Sequence, residues 1–162
     1  MNRFSSAASL ALAVVTVLGF AAPAAAGEEV PFSGSFAGER TERTVLSPTT
    51  ALDRWDMAGT ASHLGKCEMV TWALVDFSSV PVTGVGTTTF VAANGDQVYA
   101  DASGYSEFVE PGVVRIIEHG VITGGTGRFA GATGSYTSKR LTSLITNETI
   151  GSFEGTISTP GS

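Results

Sequence analysis

Beyond residue 26 the chain alternates apolar and polar positions with a period of two, and no segment there repeats its apolar positions every 3.6 residues. The clearest case is 53–63, where Trp55, Met57, Gly59, Ala61 and His63 share one face and Arg54, Asp56, Ala58, Thr60 and Ser62 the other. Val98, Ala100 and Ala102 oppose Gln97, Tyr99 and Asp101 in the same way, and Gly151, Phe153, Gly155 and Ile157 oppose Ile150, Ser152, Glu154, Thr156 and Ser158. The pattern predicts strands at 30–37, 53–63, 66–77, 84–92, 97–107, 113–123, 135–142 and 149–158. Segment 113–123 is mixed on both faces, so either a polar group enters the interior there or an apolar stripe lies outside. Asn94-Gly95 supplies the positive φ angles of a tight hairpin, and Pro111-Gly112 and the residues around Gly125 mark further turns. Thr41–Thr50, with Ser47-Pro48, reads as a loop. Every connection is too short for a parallel crossover, which leaves an antiparallel sandwich or an up-and-down barrel, and closing eight strands into a barrel removes exposed edges.

The first 26 residues have a different character. Arg3 precedes an apolar run from Ala7 to Phe20, and Ala24-Ala25-Ala26 offers the small residues a signal peptidase requires. The run is short for a membrane span, and Pro23 follows it. Residues 1–26 are therefore expected to be a signal peptide and 27–162 a single β domain, exported to the periplasm or the extracellular space with no remaining membrane segment. Loss of 1–26 removes Arg3 and no acid, taking the formal charge from −6 to −7. That balance argues against a nucleic-acid partner, which needs clustered cations to neutralise phosphates. Cys67 is the one cysteine, which excludes an internal disulfide framework and a multi-cysteine metal site.

Few residues carry candidate chemistry. His63 and His119 lack the local spacing of a zinc site, so no metal is expected. No Gly-x-Ser-x-Gly elbow is present to activate a serine. Gly125-x-Gly127-x-x-Ala130 resembles a dinucleotide fingerprint only superficially, because it runs on into Thr- and Ser-rich strand rather than a helix, and no cofactor is expected. The glycines there fit a tight turn with Phe129 plugging the core. With Cys67 inward, Gly65, Met69, Thr71, Ala73 and Val75 line the interior while Val70, Trp72 and Leu74 form an outer apolar stripe rimmed by Lys66, Glu68 and Asp76. Such a stripe suits self-association into a homo-oligomer. The opposite register would put Trp72 in the core.

The run Ile122-Thr123-Gly124-Gly125-Thr126-Gly127-Arg128-Phe129-Ala130-Gly131-Ala132-Thr133-Gly134 resembles the I-T-G-G-x-G-x-F-x-G-A-x-G segment of the allene oxide cyclase family, with Phe90, Gly95, Asp96 and Gly65-Lys66-Cys67 at fitting positions. Plant dirigent proteins share a related run. Small secreted bacterial proteins are more similar still, through Gly59-Thr60-Ala61-Ser62-His63-Leu64-Gly65. The resemblance covers about 70 residues, from Gly65 to Gly134, and implies an eight-stranded, antiparallel, calycin-like barrel. The cyclases carry a glutamate on the first strand, but Val30-Pro31-Phe32-Ser33-Gly34-Ser35-Phe36 has no interior acid. Dirigent proteins carry an arginine and a tyrosine just after the glycine motif, where this chain has Thr133 and Ser135, with Tyr136 one residue late. Catalysis is accordingly not the first expectation. That place goes to a binding barrel holding one small apolar ligand, lined by Trp55, Met57, His63, Cys67, Met69 and Phe153. An isomerase or cyclase folding a substrate in a dry cavity, and a filled barrel acting as a scaffold, are the alternatives.

Overall fold

A computed structural model describes residues 27–160. Eight strands run through the chain: β1 (Val30–Ser47), β2 (Thr50–Ala61), β3 (Gly65–Asp76), β4 (Val82–Ala92), β5 (Gln97–Glu110), β6 (Val113–Gly125), β7 (Thr133–Ser143) and β8 (Glu148–Ser158). Each pairs antiparallel with its sequence neighbour, and β8 returns to β1, closing the barrel. The only helical turn among the described residues is a short 3₁₀ segment, Gly127–Phe129. The barrel alternative is therefore the one the chain adopts, and no sheet edge is left unpaired. The expected signal peptide, 1–26, lies outside the described residues. Among the described residues no helix is long and apolar enough to cross a membrane.

Strand registers settle the faces. Cys67 pairs with Gly59 and Ala92 and is buried, while Val70, Trp72 and Leu74 point outward. Trp72 is half-buried, with the Arg54 guanidinium 5.6 Å from its ring centroid. Strand β6 does both things its mixed pattern allowed: Val114, Glu118 and Ile122 face inward, and Val121 is exposed on the outer wall.

The segment Thr41–Thr50 is not a loop. It forms the end of β1 and the first residue of β2, with only Pro48 and Thr49 in the turn. A register shift between Arg40 and Glu42 makes this possible. Arg40 opposes Trp55 and Arg43 opposes Asp53, both inward-facing partners, so the bulge at Thr41 turns two residues of unlike parity to the same side.

The interior is divided along its axis. One end is filled by the rings of Phe32, Phe90, Tyr136 and Phe153, whose centroids lie 4.9–6.2 Å apart. Leu64 and Phe129 join this buried cluster from the turns below. Those turns are locked to one another. Arg128 Nη2 donates to the His63 carbonyl at 2.6 Å, and its Nε lies 3.7 Å from Asp96 Oδ2. Thr126 Oγ1 accepts from the Gln97 amide at 2.9 Å. The glycine-rich run thus makes a plug, Phe129, and a latch, Arg128, for the closed end.

Candidate functional site

The other half of the barrel is open. A cavity of about 200 Å³ lies between β1–β7, entered from the end where the β1–β2, β3–β4, β5–β6 and β7–β8 connections meet. Part of its wall is apolar, with Ala73, Val75, Val82, Ala102, Val114 and Ile116. Gly84, Gly86 and Gly104 occupy inward positions on β4 and β5, and at Gly86 and Gly104 the neighbouring strand approaches so closely that a β-carbon would strike its backbone. The rim is strongly apolar. Val45, Leu46, Phe77, Val80, Phe108, Val109, Leu144 and Ile145 are all exposed at the tips of the four connections, Phe108 by 72% and Ile145 by 81%. At the closed end the corresponding turns carry Ser62, His63, Asn94, Asp96, Thr126 and Arg128 instead.

Beside the apolar wall lies a charged cluster, with Asp53 the register partner of Ala73 and Arg140 that of Ile116. Arg40 and Arg43 come from β1, Asp53 from β2, Glu118 from β6 and Arg140 from β7. Asp53 is 1% exposed and is held by Arg43 in a two-point fork, Nε to Oδ1 and Nη2 to Oδ2, each at 2.6 Å. Arg40 Nη1 lies 3.6 Å from the same carboxylate, and Arg40 Nη2 donates to Asn147 Oδ1. Burial and the neighbouring Arg43 charge lower the pKa of Arg40 from its ordinary value. Arg140 Nη2 donates to Glu118 Oε1 at 3.2 Å. Trp55 presents its ring to two guanidinium groups, that of Arg140 at 4.4 Å and that of Arg40 at 5.7 Å from the centroid. Three cations therefore face two carboxylates, an excess of one positive charge. Arg140 Nε is buried and has no hydrogen-bond partner. A donor left in that state costs about 1–3 kcal/mol.

Of the residues expected to line a ligand site, Trp55 does face the cavity. Met57, Cys67, Met69 and Phe153 share its inward side and its buried cluster but do not line this cavity. Burial raises the pKa of the Cys67 thiol, and it likewise raises that of the Tyr136 hydroxyl. His63 is not an interior residue. At φ 64° it leaves the strand alternation, and its Nε2 lies 3.0 Å from the Pro31 carbonyl in the exposed β2–β3 turn. It stands at the end opposite the cavity mouth. His119 faces outward, on the side of β6 opposite Glu118, with Nδ1 3.2 Å from Thr137 Oγ1. The charged cluster was not anticipated. Asp53 and Arg140 nevertheless lie in phase with residues of the interior pattern, Asp53 with Trp55 and Met57, Arg140 with Tyr136.

No family model matches the chain, and no curated protein matches it. Among solved structures it is similar to that of a pterocarpan synthase dirigent protein, with a TM-score of 0.57 at 17% identity over 93% of this chain and 99% of that one. At that identity the likeness establishes a shared fold: this is a dirigent-like, eight-stranded barrel.

Proposed function

We propose that this is an exported binding barrel that holds one small, largely apolar molecule in its open half. The cavity carries the reading. The same fold packs one end solid with four aromatic rings, yet keeps about 200 Å³ free at the other behind an apolar wall and an apolar rim. Ligand pockets run to roughly 300–1,000 Å³, so the occupant is small. Eight-stranded barrels are just wide enough for packed side chains or one such molecule. Export rests on the signal-like segment 1–26 and the A-x-A pattern at its end. Native mass spectrometry of protein purified from its own host should find a small molecule retained in the folded wild type. Ala102→Phe, which places a ring in the cavity, should lose it while keeping the β circular-dichroism spectrum. Equal retention by this variant would remove the cavity from consideration.

A second reading, an isomerase or cyclase, is favoured by one observation: carboxylates do face the cavity, Asp53 and Glu118, although neither lies on β1. Both are already engaged by arginine, which suits a structural or orienting role better than a free acid or base. Self-association through Val70, Trp72 and Leu74 belongs to the same proposal. Their outward placement supports it, and Leu74 stands directly beside the exposed Val85 of β4.

A further inference from the structure

We infer that the charged cluster lining the cavity is an anion subsite, at which Arg140, with Arg40 beside it, receives the carboxylate of a small organic acid whose apolar body lies against the adjoining apolar wall. The inference rests on the reading of the cavity as a ligand site and names what that ligand carries.

The charges facing this space are Arg40, Arg43 and Arg140 against Asp53 and Glu118. Their hydrogen bonds are unequally distributed. Arg43 directs Nε and Nη2 to Asp53, so that pair satisfies itself. Arg40 has only a 3.6 Å approach to the same carboxylate and one bond to the neutral Asn147 side chain. Arg140 has one 3.2 Å bond to Glu118, a 3.9 Å contact from Nη1 to the Met57 sulfur, and nothing at Nε. The cation with the least complete set of partners is thus also among the most buried, at 3% exposed. A buried guanidinium normally has all its donors occupied.

Three features specify the missing partner. The excess is a single positive charge, which one carboxylate balances. A phosphate dianion would overshoot it and meet repulsion from Asp53 and Glu118. The Arg140 guanidinium is planar and its Nη2 is already shared with Glu118, so a planar carboxylate suits it better than a tetrahedral anion. The adjoining wall is Ala73, Val75, Ala102, Val114 and Ile116, which favours an apolar body over a bare inorganic ion as the occupant. Trp55 holds both guanidinium groups against its ring, so the donors are in place before the ligand arrives.

The test compares 2-naphthoate with its neutral isostere 2-naphthamide, by isothermal titration calorimetry on the folded protein at neutral pH. A hydrogen bond to a charged group is strong enough that the acid should bind about tenfold tighter than the amide. Arg140→Lys keeps the charge but removes Nε, and Arg40→Gln removes the excess charge at a more accessible position. In either variant the acid-to-amide preference should collapse toward unity. Arg54→Gln, on the outer wall, should keep it. Should Arg140→Lys fail to fold, Arg40→Gln decides alone. Equal binding of acid and amide by the wild type would overturn the anion subsite while leaving a ligand cavity standing. Binding of neither compound would overturn both readings. Full competition by equimolar chloride or acetate would show an anion site indifferent to the apolar body, and would overturn the organic-acid assignment.

Discussion

Gly127 fixes how the closed end of the barrel is held. It sits at φ 55°, and a β-carbon there would fall 1.9 Å from Asp96 Oδ1, the carboxylate that faces Arg128. Asp96 could swing aside, but the left-handed backbone would still resist a β-branched side chain. Gly127→Val is therefore expected to cost about 1–3 kcal/mol. Its melting temperature should drop by about 3–5 °C for each kcal/mol, and an unchanged value would show the position to be permissive. This demand is readable in the sequence, because a run as glycine-dense as Gly124-Gly125-Thr126-Gly127 needs positive φ somewhere. The position of His63 is not. Alternation places it inside with Ala61, and only the left-handed turn at 63, set by the closure of β2 onto β3, takes it out. Alternation likewise cannot separate Trp55 from Met69. Both face inward, and which of them meets free space depends on ring packing between strands far apart in sequence.

Strand β2 shows the same separation within one element. Asp53 and Asp56 lie three residues apart and face opposite sides of the wall. Asp53 is buried with Arg43 and Arg40. Asp56 is paired at the surface with Arg54 at 2.8 Å, and hydrogen bonds from Arg54 and Thr41 lower its pKa from the ordinary carboxylate value. Removing one member of a buried pair leaves its partner's charge uncompensated, so Asp53→Ala should cost about 3–5 kcal/mol. Asp56→Ala should cost a small fraction of that, since exposed pairs contribute little. Urea denaturation of the two variants measures the contrast, and similar midpoints would mean that the interior pair is solvated. The alternation of 53–63 already carried this distinction. What hid the partner arginines was the reading of Thr41–Thr50 as a loop. Ser47-Pro48 does mark a turn, but the bulge breaks the alternation of β1 within Glu39–Thr44, which holds no apolar residue to reveal the change of phase. Without the bulge Arg40 and Arg43 appear to face opposite ways, and the charged cluster has no visible source.

Seen as a whole, the barrel is two structures on one set of strands. The closed half has a ring cluster and cross-linked turns, and the open half has a cavity, an apolar rim and a charged cluster short of one anion. The antiparallel strand order followed from the short connections, which left sandwich and barrel open; barrel closure was what the resemblance carried by the glycine-rich run implied. The division along the axis followed from neither, because it depends on which inward positions from eight strands fall in the same layer. That division predicts a gradient of local stability, since segments with fewer buried apolar contacts open at lower free energy. In native-state hydrogen exchange, the amides of Phe32, Phe90, Val98, Phe153 and Ile157, whose side chains are buried at the closed end, should approach the protection of global unfolding. Amides near Ala73, Ala102, Val114 and Arg140 should exchange by smaller openings. A ligand adds stability only where its binding is lost on opening. Saturating 2-naphthoate should therefore slow exchange around the cavity, at β1 beyond Arg40, the start of β2 and the facing parts of β5, β6 and β7. The closed end should gain protection only where it already opens by global unfolding. A uniform profile in the free protein, or ligand protection centred on Cys67 and Phe153 rather than on Trp55 and Arg140, would refute the two-part interior.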